Sequence, residues 1–272
     1  MTSTPPAPQA AGLVRTLDGL GCFFALAAPP PQGSDAVPWA QVLSGPALEP
    51  RFDAVRTLLA DGAGIPVGEL DPKVAVSAVQ VGLASRLWSV VLASAVLHSW
   101  VPDLSSASLL ASPVHRGSVP LGVRDADHGY AVTSPEEAAR RIGKTVVASS
   151  LHDLHEACAK TGRTPERVLV SNSTSSLVGA LRVLGGRRPE VAGRVAELGR
   201  LLLADPAVRA GGALVPASDL PAGVGTEVPG HDPAEAAFLR TGCCVFYHLP
   251  EHGLCPDCVL APTHPGRVTE AH

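Results

Sequence analysis

Apolar positions in this chain recur mostly at helical spacing, and Pro, Gly and capping residues mark the breaks between them. Residues 13–28 are apolar, end at Pro29-Pro30-Pro31, and read as a strand or a short helix. Residues 52–60 have helical spacing and close at Gly62. Asp71-Pro72 is an N-cap followed by Pro at the first helical position, and it opens the longest apolar run, 74–97. That run reads as a buried helix pair ended by Pro102. Between 109 and 132, closely spaced Pro and Gly separate short β-like pieces such as Ser118-Val119 and Tyr130-Ala131-Val132, which predicts a small antiparallel sheet.

The second half is more plainly helical. Ser134-Pro135-Glu136-Glu137 is a capping box, and its helix is expected to run to about Lys160, before Gly162. Thr164-Pro165-Glu166 opens a helix expected to stop at Gly185-Gly186, and Pro189 opens another that reaches Leu203. Residues 206–231 are rich in Gly and Pro and read as a loop. Asp232-Pro233-Ala234-Glu235 carries a further helix-start signal. The expected fold is α+β and helix-dominated: a helical body, a small antiparallel sheet and a C-terminal metal-binding segment.

Composition narrows the function classes. The chain has 272 residues, of which 46% are hydrophobic and only 17% charged, so a wholly disordered chain and a coiled coil are excluded. Lys and Arg number 21 against 25 Asp and Glu, and no basic run exceeds two residues, so nucleic acid is not the expected partner. With only 3 Trp, 2 Tyr and 5 Phe, the core must be built from Ala, Leu and Val, which suits close-packed helices. The apolar run 20–28 faintly imitates a signal peptide, but Asp18 stands where a basic segment belongs. Arg86 interrupts the run 74–97, and a central Arg is costly in a bilayer. No transmembrane segment is expected, and the location implied is the cytoplasm.

Cysteine spacing carries most of the functional information. Four of the 6 Cys fall close together as Cys243-Cys244, Cys255 and Cys258, the last two separated by Pro256-Asp257. A C-x2-C turn aims two sulfurs at one centre, and Pro250 and Gly253 let the spacer fold back. Gly242 is expected to give the backbone freedom that adjacent cysteines need. A vicinal pair is an awkward chelate for one zinc ion, whereas a [2Fe–2S] cluster spreads four thiolates over two irons. Spacing therefore favours iron–sulfur over zinc, with a fortuitous cysteine group as the third reading.

The segment Phe238-Leu239-Arg240-Thr241-Gly242-Cys243-Cys244-Val245-Phe246-Tyr247-His248-Leu249-Pro250, followed by Gly253-Leu254-Cys255-Pro256-Asp257-Cys258, resembles the C-terminal signature of FhuF-type ferric-siderophore reductases. Ala84-Ser85-Arg86-Leu87-Trp88-Ser89 and Ser171-Asn172-Ser173-Thr174-Ser175-Ser176 are similar to further segments of that family. Val170-Ser171 stands where relatives often show Trp-Gly, and His248 where they often show Arg. The resemblance implies a [2Fe–2S] cofactor and one-electron reduction of Fe(III) in a siderophore of hydroxamate type, with release of Fe(II). Cys243, Cys244, Cys255 and Cys258 are the expected ligands.

Around the cluster, His248, Phe246 and Tyr247 are the expected neighbours, with His248 supplying a titratable charge. Arg86 and Asn172 are candidate chelate contacts, although a buried Arg more often serves the fold. Trp88 and Trp100 read as core. His152 and His155, with Asp153 and Glu156, read as a solvated helix face, and Cys22 and Cys158 as inert core thiols. No flavin or nicotinamide fingerprint is present, so electrons are expected from a ferredoxin-like protein or a reductase. The expected division is a disordered tail (1–12), a helix-rich body (13–228), a cluster-binding segment (229–262) and a flexible tail (263–272). Phe238, Phe246 and Tyr247 should dock that segment on the body and shield the cluster. An electron carrier or sensor without a chelate site, and a zinc-stapled binding protein, are the alternatives.

Overall fold

A long helix with almost no exposed face organises the molecule. The computed structural model describes residues 10–114, 117–125 and 127–269. In chain order these form α1 (Ala10–Gly19), β1 (Leu26–Ala27), β2 (Val37–Pro38), α2 (Trp39–Val42), α3 (Gly45–Ala63) and α4 (Pro72–His98). Four short strands follow: β3 (Trp100–Pro102), β4 (Leu109–Ala111), β5 (Leu121–Val123) and β6 (Gly129–Ala131). The helices α5 (Pro135–Ile142), α6 (His152–Gly162), α7 (Glu166–Arg187), α8 (Ala192–Ala204) and α9 (Pro206–Arg209) come next, then β7 (Gly212–Pro216) and β8 (Ala236–Arg240). The fold is α+β and helix-dominated.

The run 74–97 is one helix, not a pair. Asp71 accepts from Lys73 N at 2.9 Å and caps α4, and the left-handed residue Ser99 ends it before Pro102 is reached. The helix is buried against α7, α3, α6 and α1. By length and composition it could cross a membrane, but 78% of its most apolar window is buried inside the protein. Its polar residues join it to α7: Gln80 Nε2 donates to Leu169 O at 3.1 Å and to Ser173 Oγ at 2.9 Å, and Trp88 Nε1 donates to Ser173 O at 2.9 Å. Such internal partners are what make buried polar groups tolerable.

Several expectations are corrected here. Met1 to Gln9 lie outside the described residues, but Ala10–Gly12 already belong to α1, whose Leu13 and Leu17 enter the core. Ser118-Val119 is not a strand, and Tyr130 pairs with Val101 in a separate sheet. The main sheet has the order β1-β5-β4-β2, with β1 parallel to β5 and the remaining pairs antiparallel. Gly185 and Gly186 sit inside α7, which runs to Arg187.

Between α5 and α6 the chain continues as a π-helix over Gly143–Leu151, which no periodicity announces. Thr145 Oγ1 donates to Arg141 O at 2.9 Å, and Trp39 Nε1 takes Ser150 O at 3.1 Å. The 206–231 stretch contains α9 and β7, and Asp232 caps only a turn before β8. β7 and β8 pair over five residues, from Gly212 with Arg240 to Pro216 with Ala236. The pairing crosses the expected boundary at 229. Nor is 263–269 a free tail: Leu254 N donates to Arg267 O at 2.7 Å, and Thr269 N donates to Leu254 O at 3.0 Å.

His155 is buried, not solvated, and its Nε2 lies 2.6 Å from Ser173 Oγ. Burial, with His152 adding to it, pushes its pKa down to about 4. The unfolded chain therefore binds a proton that the folded chain refuses between roughly pH 6.5 and 4. Stability should be full above that window and fall by on the order of 3 kcal/mol across it. His155→Gln should flatten this part of the melting temperature–pH curve, and an unchanged slope would refute the assignment.

Candidate metal centre

The site is built on the strand that leads into it. In β8, Phe238 and Arg240 both point inward and are buried. The following Gly242 packs against α7: its N–H donates to Ser171 Oγ at 3.1 Å, and Ser171 Oγ donates to Gly242 O at 3.0 Å. A Cβ at 242 would meet Arg167 O at 2.9 Å, so the glycine serves close approach rather than unusual backbone angles. The chain turns at Val245 instead, where φ is +63°. Gly242→Ala should cost about 1–3 kcal/mol by overpacking and should lower metal occupancy. Melting and iron analysis check this together; an unchanged melting temperature would contradict it.

Cys243 and Cys244 stay close enough for a hydrogen bond between their thiols, and each also meets one sulfur of the second pair. Cys244 Sγ lies 3.7 Å from Cys255 Sγ, and Cys258 Sγ lies 3.6 Å from Cys243 Sγ. Two thiolates on one tetrahedral ion with metal–sulfur bonds of about 2.3 Å stand about 3.8 Å apart. Both cross pairs thus have the spacing of ligands sharing a metal. All four thiols are free of disulfides. Val245 N donates to Cys243 Sγ at 3.4 Å. Hydrogen bonds from Cys243 and Cys255, helped by Arg240, hold the Cys244 thiol below its ordinary range, and Cys243 lowers Cys258 in the same way.

Arg240 was not singled out from the sequence. Its guanidinium is enclosed, donates to Asn172 Oδ1, and lies 3.4 Å from Ser171 Oγ. Burial works against its charge, but Asp257 and the thiols of Cys244, Cys255 and Cys258 outweigh that and hold its pKa above the ordinary value. The Arg240 main chain donates to Asp257 O at 2.9 Å, and Ser175 Oγ lies 2.6 Å from Asp257 Oδ2. A charged residue on the inward side of a strand, three before a cysteine pair, was the available signal.

Beside the cysteines is a cavity of about 660 Å³. Its walls come from the segment after α1 (Phe23, Phe24), from α4 (Ser85, Ser89), from α7 (Asn172) and from the cysteine segment (Cys244, Cys255). Asn172 is fully buried, and its Nδ2 has no partner among the described residues. Phe246 lines the same cavity, and its ring stacks on His252 at 5.8 Å. Tyr247 packs with Cys243, Cys255 and Cys258 in a small cluster that includes Leu220 and Val224, rather than docking the segment on the helical core. Phe238 and Phe246 do make that contact, with the main core and with the Ala60, Leu70 and Val74 cluster respectively.

The other candidates fall away from the cavity. His248 turns to Asp71 at the cap of α4, with Nδ1 3.3 Å from Oδ2. Arg86 Nε donates to Val119 O at 2.8 Å and its Nη2 to Ala25 O, so it ties the N-terminal segment and the β5 edge to α4. It does not line the cavity; the candidate contact at Arg86 becomes a structural one. Cys22 is exposed at the cavity wall rather than a core thiol, while burial raises the Cys158 thiol to about 12 and makes it inert.

A donor set of four thiols in two close pairs suits a [2Fe–2S] cluster. Residues 240–260 match the family model of the FhuF 2Fe-2S C-terminal domain, a segment that contains all four of these cysteines and Arg240. No curated protein matches the chain. Over these residues the chain is similar to the 2Fe–2S C-terminal domain of the FhuF family.

Proposed function

We propose that this protein is a cytoplasmic ferric-siderophore reductase, with Cys243, Cys244, Cys255 and Cys258 as cluster ligands and the adjoining cavity as the chelate site. When bound, the 2Fe–2S cluster supplies electrons one at a time, which matches the reduction of Fe(III) to Fe(II). Fe(II) is larger and less charged, holds hard oxygen donors less tightly, and is released. The observation that carries this reading is the cavity: Cys244 and Cys255 form part of its wall, so a chelate seated there lies against the ligand side of the cluster.

The chain's own residues bind and orient the substrate. Phe23, Phe24 and Phe246 give the cavity an apolar surface that excludes water around the chelate. Asn172 lies in the cavity wall, and its Oδ1 is fixed on Arg240. Function divides along the chain accordingly: the helical body supplies most of the chelate walls, and the segment from about 229 holds the cluster. Electrons arrive from an external ferredoxin-like protein or reductase.

Stopped-flow mixing of the reduced protein with a ferric tris-hydroxamate tests this. Reoxidation that saturates with chelate concentration, with one Fe(II) trapped per electron lost, is the expected result. Reoxidation with no saturation and no Fe(II) release would favour an electron carrier or sensor. Asn172→Ala should raise the half-saturating chelate concentration several-fold, consistent with loosening of the cavity wall on loss of about 1 kcal/mol of hydrogen bonding to Arg240.

A further inference from the structure

A buried guanidinium is costly unless the site around it has negative charge to answer it. Arg240 is 6% exposed and faces one carboxylate, Asp257, together with the thiols of Cys244, Cys255 and Cys258. Its main-chain N–H is bonded to Asp257 O at 2.9 Å, so the strand end and the C-P-D-C turn are held in fixed relation. The side chain is braced by Asn172 Oδ1 and Ser171 Oγ, both on α7. Asp257 is braced in turn by Ser175 on the same helix. Arg240 and Asp257 are therefore each held in a fixed position, and both line the cavity that Cys244 and Cys255 border.

We propose that Arg240 is a positioning residue that sets the reduction potential of the cluster, its guanidinium favouring the reduced state while Asp257 opposes it. On reduction one electron enters from the external donor, which is oxidised by one electron, and the cluster becomes more negative by one charge. Arg240 neither gains nor loses a proton in this step; its fixed charge, which interacts with the thiols of Cys244, Cys255 and Cys258, would favour the added negative charge. In a site this well enclosed, such a charge is screened little by solvent. The inference rests on the terminal segment holding the cluster and not on the identity of the chelate.

Redox titration of the cluster-loaded full chain, followed by visible absorbance, tests the assignment. Arg240→Gln should make the one-electron reduction equilibrium at least tenfold less favourable, which is a fall of about 59 mV for one electron. Arg240→Lys keeps the charge and should lie closer to the wild type. Asp257→Asn should move the potential in the opposite direction, upward. A purely structural role would loosen the site in all three variants and would not give shifts of opposite sign. An Arg240→Gln potential within twofold of wild type, or an Asp257→Asn potential that fails to rise, would overturn the proposal. If Arg240→Gln does not assemble the cluster, Asp257→Asn decides alone. A wild-type protein that binds no cluster would instead be the failure of the underlying reading.

Discussion

Cys244→Ser and Cys255→Ser are each expected to abolish the visible absorbance of the purified protein. The two sulfurs stand 3.7 Å apart, and the other two cysteines, 3.6 Å from each other, would already be needed as the remaining two ligands. Serine is a harder and less acidic donor, and the thiolate left behind would be a partly buried charge without its metal. The loss should be of the same size for both members of the pair, because each removes one ligand from the same ion. Retention of the wild-type spectrum and iron content in either variant would refute the ligand assignment. Far-ultraviolet circular dichroism should remain helical in both, since none of the four sulfurs belongs to the main apolar core.

The largest effect on stability is expected at Phe238. Its side chain is fully buried in the main core, and its ring covers Gly212 so closely that a Cβ there would lie 2.4 Å from the ring. Phe238→Ala should cost about 3–5 kcal/mol, because the strand pair β7–β8 cannot collapse over the void without losing its register. At roughly 2–4 °C per kcal/mol for a chain of this size, the melting temperature should fall by about 10 °C. Cluster occupancy should fall with it, since β8 leads directly into Gly242 and the first cysteine pair. A melting temperature within about 2 °C of wild type would mean that the terminal segment is not anchored through this ring.

What was legible in the sequence was mostly local. Asp71-Pro72 does cap and open α4, and Ser134 Oγ accepts from Glu137 N at 3.2 Å while Glu137 Oε2 takes the N–H of Thr133 at 3.0 Å. The cysteine spacing pointed to the candidate metal centre without help from the fold, because thiols so close in sequence can approach each other without any long-range contact. Asp232 misled for the opposite reason. Its side chain caps Ala234 N at 2.9 Å, as a helix start would, but the next residues pair with β7, and strand pairing outweighed the local signal. β7 itself lies in a Gly- and Pro-rich stretch with no clear alternation.

The missing parts of the site are all long-range. Arg240 looks like a surface residue until Asn172, 68 positions away, is placed against it. The cavity draws its walls from the segment after α1, from α4, from α7, from Thr226 and from the cysteine segment, so no window of sequence contains it. Arg86 had the reverse fate, since its partners Val119 and Ala25 turned a candidate contact into a structural tie. The π-helix at Gly143–Leu151 depends on Trp39, far upstream, for one of its carbonyl partners.

Anaerobic purification followed by the visible spectrum, with iron and acid-labile sulfide measured on the same sample, tests the central claim most directly. A coloured protein with about two iron and about two sulfide per chain, bleached on reduction by one electron, is the result this structure predicts. A colourless protein holding about one zinc and no sulfide would contradict it.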